Sequence, residues 1–209
     1  MNYYVIDYKA GAPGCPLVLK GDINKGWTWD HQDPNPDQFD IADDYVYRAK
    51  WRLLDFDFWD ARVMGSAAFA DLVEEMGGKI RKVPLKIIYP NQSESKKKYF
   101  YLLWKEWHSM IDLENSEYAP SMDIYTNTAN YCKDFPGVLF MREIQKFAFD
   151  RSKDPNKHIF KSLDFFDKNI CSEAFMQQCL ARKLKGLAFT PIEEAKKLDY
   201  LSMSLNEFP

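Results

Sequence analysis

A serine-opened segment occurs twice in this 209-residue chain: Ser66-Ala67-Ala68-Phe69 begins one copy and Ser172-Glu173-Ala174-Phe175 the other. Each serine suits a helix N-cap, because its hydroxyl accepts from a backbone N–H that the first turn leaves orphaned. Phe69, Leu72, Val73 and Met76 then follow at i, i+3, i+4, i+7 and give one apolar helical face, and Gly77 suits the left-handed residue that ends a helix. In the second copy Phe175, Met176, Cys179, Leu180 and Leu184 form the stripe, with Gly186 expected to end it before the short strand "LAF". Capped helix, glycine, strand is a packing device in which a helix lays its apolar face on the sheet it feeds. Both helices are therefore expected to touch one sheet, with the serines as scaffold. No regular period spans the remaining chain, so duplication and two independently capped helices both stay open.

Around these helices the composition favours strands. "YYVIDY" at residues 3–8 is aromatic and β-branched and ends in a Gly/Pro cluster. Residues 21–44 read as loop, since "DPNPD" suits neither a helix interior nor a central strand. In "VPLKIIY", Val83, Leu85, Ile87 and Tyr89 share one side and Lys82 and Lys86 the other; "YFYLLW" after it is apolar on both faces. The two predict a hairpin whose tip is the polar "NQSESKKK". From Lys105 to Phe135 the pattern weakens, with "ENSEYAPS" turn-like and a strand expected near Met122 to Thr126, before "GVLFM" and "KFAFD" return to strand composition. Thr190, Pro191 and Glu193 spell a capping box with proline at the first helical position, which predicts a third helix over Pro191 to Leu198. The expected architecture is α+β: a mostly antiparallel sheet with two or three helices packed on it. It is expected as a single domain over 1–209, with a division into lobes at 1–90 and 91–209 left open.

Composition excludes some functions. A formal net charge of −3 lacks the cationic footprint that nucleic acid or an anionic membrane demands. The start "MNYYVIDYKAG" has no cationic segment followed by an apolar one, so a cytoplasmic protein is expected. Four cysteines without CxxC spacing read as reduced, mostly buried thiols.

Signatures of catalysis are scarce. His31, His108 and His158 lie outside metal-ligand spacing, and no GxSxG, GxGxxG or Walker pattern occurs, so neither a metal nor a cofactor is expected. Asp55 and Asp57 in "DFDFWD" form the Asp-x-Asp step by which some sugar transferases hold a metal–nucleotide. Strand alternation places the two on one side without any metal. Between Asp30 and Asp44 the chain carries six aspartates (Asp30, Asp33, Asp37, Asp40, Asp43, Asp44) and no Lys or Arg, preceded by Trp27 and Trp29. One reading is a solvated acidic loop. The other is a recognition surface for a basic partner, with the two tryptophans as exposed anchors.

The segments "YYVIDY", "GSAAFADLV", "YFYLLWKEWHSMIDLENSEY", "GVLFMREI" and "ICSEAFMQQCLARKLKGLAFTP", in this order, resemble the Imm-type immunity proteins of bacterial polymorphic toxin systems. More narrowly, they resemble a branch first catalogued as a domain of unknown function. The resemblance implies a non-enzymatic cytoplasmic protein that binds and blocks a toxin. A basic, nuclease-like toxin would suit the acidic loop. Two other readings stand beside it: a metal-dependent transferase using Asp55 and Asp57, and an adaptor module of a secretion system.

Overall fold

The computed structural model describes residues 1–30, 33–60, 63–165 and 168–197. Strands β1 (Tyr3–Tyr8), β2 (Gly21–Ile23), β3 (Tyr45–Ala49), β4 (Phe58–Trp59) and β5 (Met64–Ser66) lead into helix α1 (Ala67–Glu75). Then come β6 (Ile80–Ile88), β7 (Tyr99–Trp104), β8 (Trp107–His108), β9 (Glu117–Pro120), β10 (Met141–Lys146), β11 (Ile159–Ser162) and β12 (Asn169–Ser172). Helix α2 (Glu173–Ala181) and β13 (Leu187–Pro191) close the order. Three sheets result: β2-β3-β6-β7-β5-β4, β13-β1-β12-β11-β8, and the pair β10-β9.

The expected α+β class is thereby corrected: the fold is mostly β, with 35% strand against 15% helix. Two causes account for the error. The third helix does not form, because Thr190 and Pro191 are committed to the β1 ladder opposite Val5 and Tyr4. Pro191 is tolerated there because β13 is an edge strand, and only a 3₁₀ turn, Ile192–Glu194, follows; Leu198 lies outside the described residues. The second cause is the weak-looking stretch from Lys105 to Phe135, which yields β8 and β9, the latter paired with β10. "ENSEYAPS" contributes β9, and "GVLFM" enters β10 only at Met141.

The predicted hairpin forms as β6 and β7, from Ile80 opposite Trp104 to Leu85 opposite Tyr99. Alternate residues of β7 serve different layers. Tyr99, Tyr101 and Leu103 join a core with Tyr45, Tyr47, Trp29 and Phe56, while Leu102 and Trp104 pack with both helices. The helices thus lie between the two large sheets, and a third core, including Val5, Ile170 and Ile144, fills the far face of the five-stranded sheet. Among the described residues no helix is long and apolar enough to cross a membrane.

The echoed segments turn out to be one unit built twice. In the first, β4 and β5 form a hairpin, β5 ends in Ser66 and α1, and β6 returns so that β7 lies between β5 and β6. In the second, β11, β12, Ser172, α2 and β13 repeat that order, with β1 between β12 and β13. The caps match in detail. Ser66 (φ −71°, ψ 164°) accepts from the Phe69 amide, and Ser172 (φ −74°, ψ 161°) from the Phe175 amide. Each serine amide donates at 2.9 Å to the carbonyl of the residue just before the hairpin, Asp57 in one unit and His158 in the other. Each serine stands opposite a buried tyrosine, Tyr99 or Tyr3. The helices differ in the strands each packs on most, α1 on β5, β6 and β7 and α2 on β12 and β1, and they touch one another.

Both helices end in a Schellman motif. The Gly78 amide donates to Val73 and Gly77 to Glu74; the Leu184 amide donates to Cys179 and Lys183 to Leu180. The left-handed residue is Gly77 (φ 80°) in the first and Lys183 (φ 55°), not Gly186, in the second. Gly186 (φ 84°) instead serves close approach, since a Cβ there would stand 2.9 Å from the Phe58 carbonyl oxygen. A side chain in the left-handed region is disfavoured, so Lys183→Gly should stabilise the fold by about 0.5–1 kcal/mol in urea unfolding. An unchanged midpoint would show that the lysine carries no strain.

Candidate functional site

The acidic run links β2 to β3 and is braced from three directions. Trp29, 7% exposed, packs edge-on to Tyr45 with ring centroids 5.2 Å apart, so its expected exposure is corrected: it is core. Trp27, 38% exposed, lies over Tyr101 at 5.6 Å and remains at the surface. From the sheet, Arg81 donates to the carbonyls of Pro36 at 2.8 Å and Phe39 at 2.9 Å. Within the loop, Asp33 accepts from the Asn35 amide at 2.7 Å and from the Gln38 side chain, fixing the 3₁₀ turn Pro36–Gln38.

The carboxylates therefore divide. Asp37 pairs with Lys105 at 2.6 Å and Asp44 pairs with Lys25, whose hydrogen bond holds the Asp44 carboxyl below its ordinary range. Asp40 and Asp43 are exposed and, among the described residues, carry no ion pair. Asp30, also exposed, lines a recess of about 230 Å³ with Trp107, Tyr131, Lys133 and Asp134. The loop brings Trp27, Asp40 and Asp43 to the surface on a rigid base, with Trp29 holding it from beneath.

Asp55 and Asp57 do face one way, and two lysines meet them. Asp57, 3% exposed, accepts from the Ser66 hydroxyl at 2.6 Å, from Lys97 Nζ at 2.9 and 3.0 Å and from the Lys185 amide at 2.8 Å. Asp55 shares Lys97 at 2.8 Å and also takes the Lys185 ammonium. Burial pushes the Asp55 carboxyl up, but the hydrogen bonds from Lys185 and Lys97 outweigh it and hold it below its usual range. Lys97 Nζ thus bridges the carboxylates where a bound cation would stand. Among the described residues no three His, Cys, Asp or Glu side chains converge as a metal site. These lysines were missed because Lys97 sits in the Lys96-Lys97-Lys98 run, which reads as solvated.

His108 is half-buried edge-on to Phe160, and burial lowers its pKa. Nδ1 of His158 lies 2.8 Å from the Ser172 hydroxyl oxygen, a capping contact. His31 lies outside the described residues.

Comparison with known proteins adds one relation. The family described as "Immunity protein family (Imm11)" matches residues 27–194, from Trp27 at the head of the acidic loop to the turn after β13. No curated protein matches the sequence.

Proposed function

Since this chain belongs to the Imm11 family of immunity proteins and has an immunity role against a toxin, we propose that it neutralises a cognate toxin by stoichiometric binding, without catalysis of its own. The observation that carries this reading is the braced acidic loop. Arg81, Lys105 and Trp29 hold its backbone and base, so the surface carboxylates and Trp27 need little ordering on binding. A toxin that handles nucleic acid needs cationic groups for phosphates, and such a surface is complementary to Asp30, Asp33, Asp37, Asp40, Asp43 and Asp44. Occupying it hides the groups the toxin needs. On this reading the complex forms in the cytoplasm.

Charge and anchor should separate kinetically. Converting Asp40 and Asp43, the exposed carboxylates that carry no ion pair among the described residues, together to asparagine should lower the association rate about threefold at low salt and flatten its salt dependence. Trp27→Ala should mainly raise the dissociation rate. Co-expression with a candidate toxin from an adjacent gene, scored by growth rescue and one-to-one co-purification, tests the reading as a whole. Surface-capture kinetics at two salt concentrations test the loop. Rescue without any complex would favour another mode of protection. A complex with unchanged rates in both variants would move the contact elsewhere.

A further inference from the structure

Between β9 and β10 the chain runs out into an arm whose end is a closed turn. The Ser121 amide donates to the Phe140 carbonyl at 2.7 Å and the Asn130 amide to Ser121 at 2.8 Å, which ties the base of the arm. Met122 and Ala129 form a bridge; beyond them the Asp123 amide donates to Thr128 and the Asn127 amide to Asp123, each at 2.9 Å. The Asp123 carboxylate accepts from the amides of Tyr125 (2.9 Å) and Thr126 (2.7 Å) and from the Thr126 hydroxyl (3.0 Å). The turn thus satisfies much of its own backbone and needs no partner to hold its shape.

On this frame stand the two most exposed large apolar side chains of the described residues, Ile124 at 85% and Tyr125 at 90%. They add nothing to the core, and exposing them leaves unused the gain that burial of such side chains brings. At the base of the arm Tyr131, 60% exposed, lines the same recess as Asp30, so the arm borders the acidic loop. A partner that meets the loop's carboxylates also meets the arm.

We infer that the tip formed by Ile124 and Tyr125 is a second apolar anchor of the toxin complex, beside Trp27, entering a recess on the toxin whose rim is cationic and whose floor is apolar. This rests on the toxin-binding reading above. The protrusion is convex, preorganised and presents a tyrosine, a side chain with few rotatable bonds and large contact area, so a concave partner surface gains contact at low entropic cost. The acidic loop then steers and the tip holds.

The test uses the purified toxin domain that the co-expression experiment pairs with this chain, with binding read by surface capture and folding by thermal unfolding. Tyr125→Ala combined with Ile124→Ala should raise Kd about 30-fold or more, chiefly through dissociation, with an unchanged melting temperature. Asp123→Ala, which keeps both anchors and frees the turn, should raise Kd about tenfold. Leu17→Ala with Leu53→Ala removes comparably exposed leucines (83% and 54%) outside the arm and should leave Kd within about threefold. Wild-type binding with the tip variant within threefold of it overturns this inference alone. Absence of wild-type binding overturns the toxin-binding reading together with it.

Discussion

Phe69→Ala and Phe175→Ala are each expected to lower the unfolding free energy by about 3–5 kcal/mol, the cost of emptying a fully buried aromatic site. Both rings are 0% exposed and meet edge-to-face, with centroids 6.0 Å apart and planes at 85°. They stand at equivalent positions, three residues after Ser66 and Ser172, and form the contact through which α1 and α2 join the two large sheets. The double variant should therefore lose less than the sum of the singles, by about 0.5–1.5 kcal/mol, because the ring–ring term is removed only once. Urea unfolding of the four proteins gives the coupling. Strict additivity would mean that the helices do not depend on each other.

The second large effect is expected at Asp57. Removing one member of a buried ion pair typically costs about 3–5 kcal/mol, because the other charge is left without compensation. Here Lys97 is 30% exposed and regains some water, which places Asp57→Ala near the lower end, at about 3 kcal/mol. The loss reaches further than one ion pair. The same carboxylate holds the Ser66 hydroxyl at the cap of α1 and the Lys185 amide after α2, while the Asp57 amide donates to the Lys185 carbonyl at 2.7 Å. Asp57→Asn should cost less, since it keeps an acceptor for one of these donors. Adding Lys97→Met to Asp57→Ala should restore part of the stability by removing the stranded charge. A loss below about 1 kcal/mol for Asp57→Ala would sink the view that this carboxylate ties the two units together.

Local chemistry was legible in the sequence and long-range pairing was not. Ser66, Ser172 and the apolar stripes behind them specify their helices within a few residues, and the β6–β7 hairpin needs only neighbouring segments. By contrast β1 pairs with β12 and β13, more than 160 residues further along the chain, and nothing local in "YYVIDY" names its partners. The same ladder overrides the capping signal at Thr190. Lys183 takes the left-handed position because the chain must turn back toward β13, although a glycine three residues later looks better suited. At the candidate site, the acidic run was visible as composition, yet which carboxylates would be neutralised depends on Lys25 and Lys105, the latter on a distant segment. Trp29 was misread because a polar tract around an aromatic suggests exposure, whereas Tyr45 and Tyr101 reach it from the sheet. Ile124 and Tyr125 suggested a strand by their residue types; Asp123 and Asn127 (φ 54°) made the turn.

The placement of β1 bears on how the chain acquires its shape during synthesis. The first unit has its strands close together in sequence: β4, β5, α1, β6 and β7 all lie within residues 58–104 and can pair as soon as that stretch leaves the ribosome. The second unit lacks a central strand of its own and borrows one translated more than 160 residues earlier. At about 5–20 residues per second, Tyr3–Tyr8 waits on the order of ten seconds before Asn169–Ser172 and Leu187–Pro191 arrive to enclose it. During that interval two ladder edges of an aromatic strand stay unsatisfied, so the nascent chain depends on protection from chaperones or from its own first unit until Leu187–Pro191 has emerged.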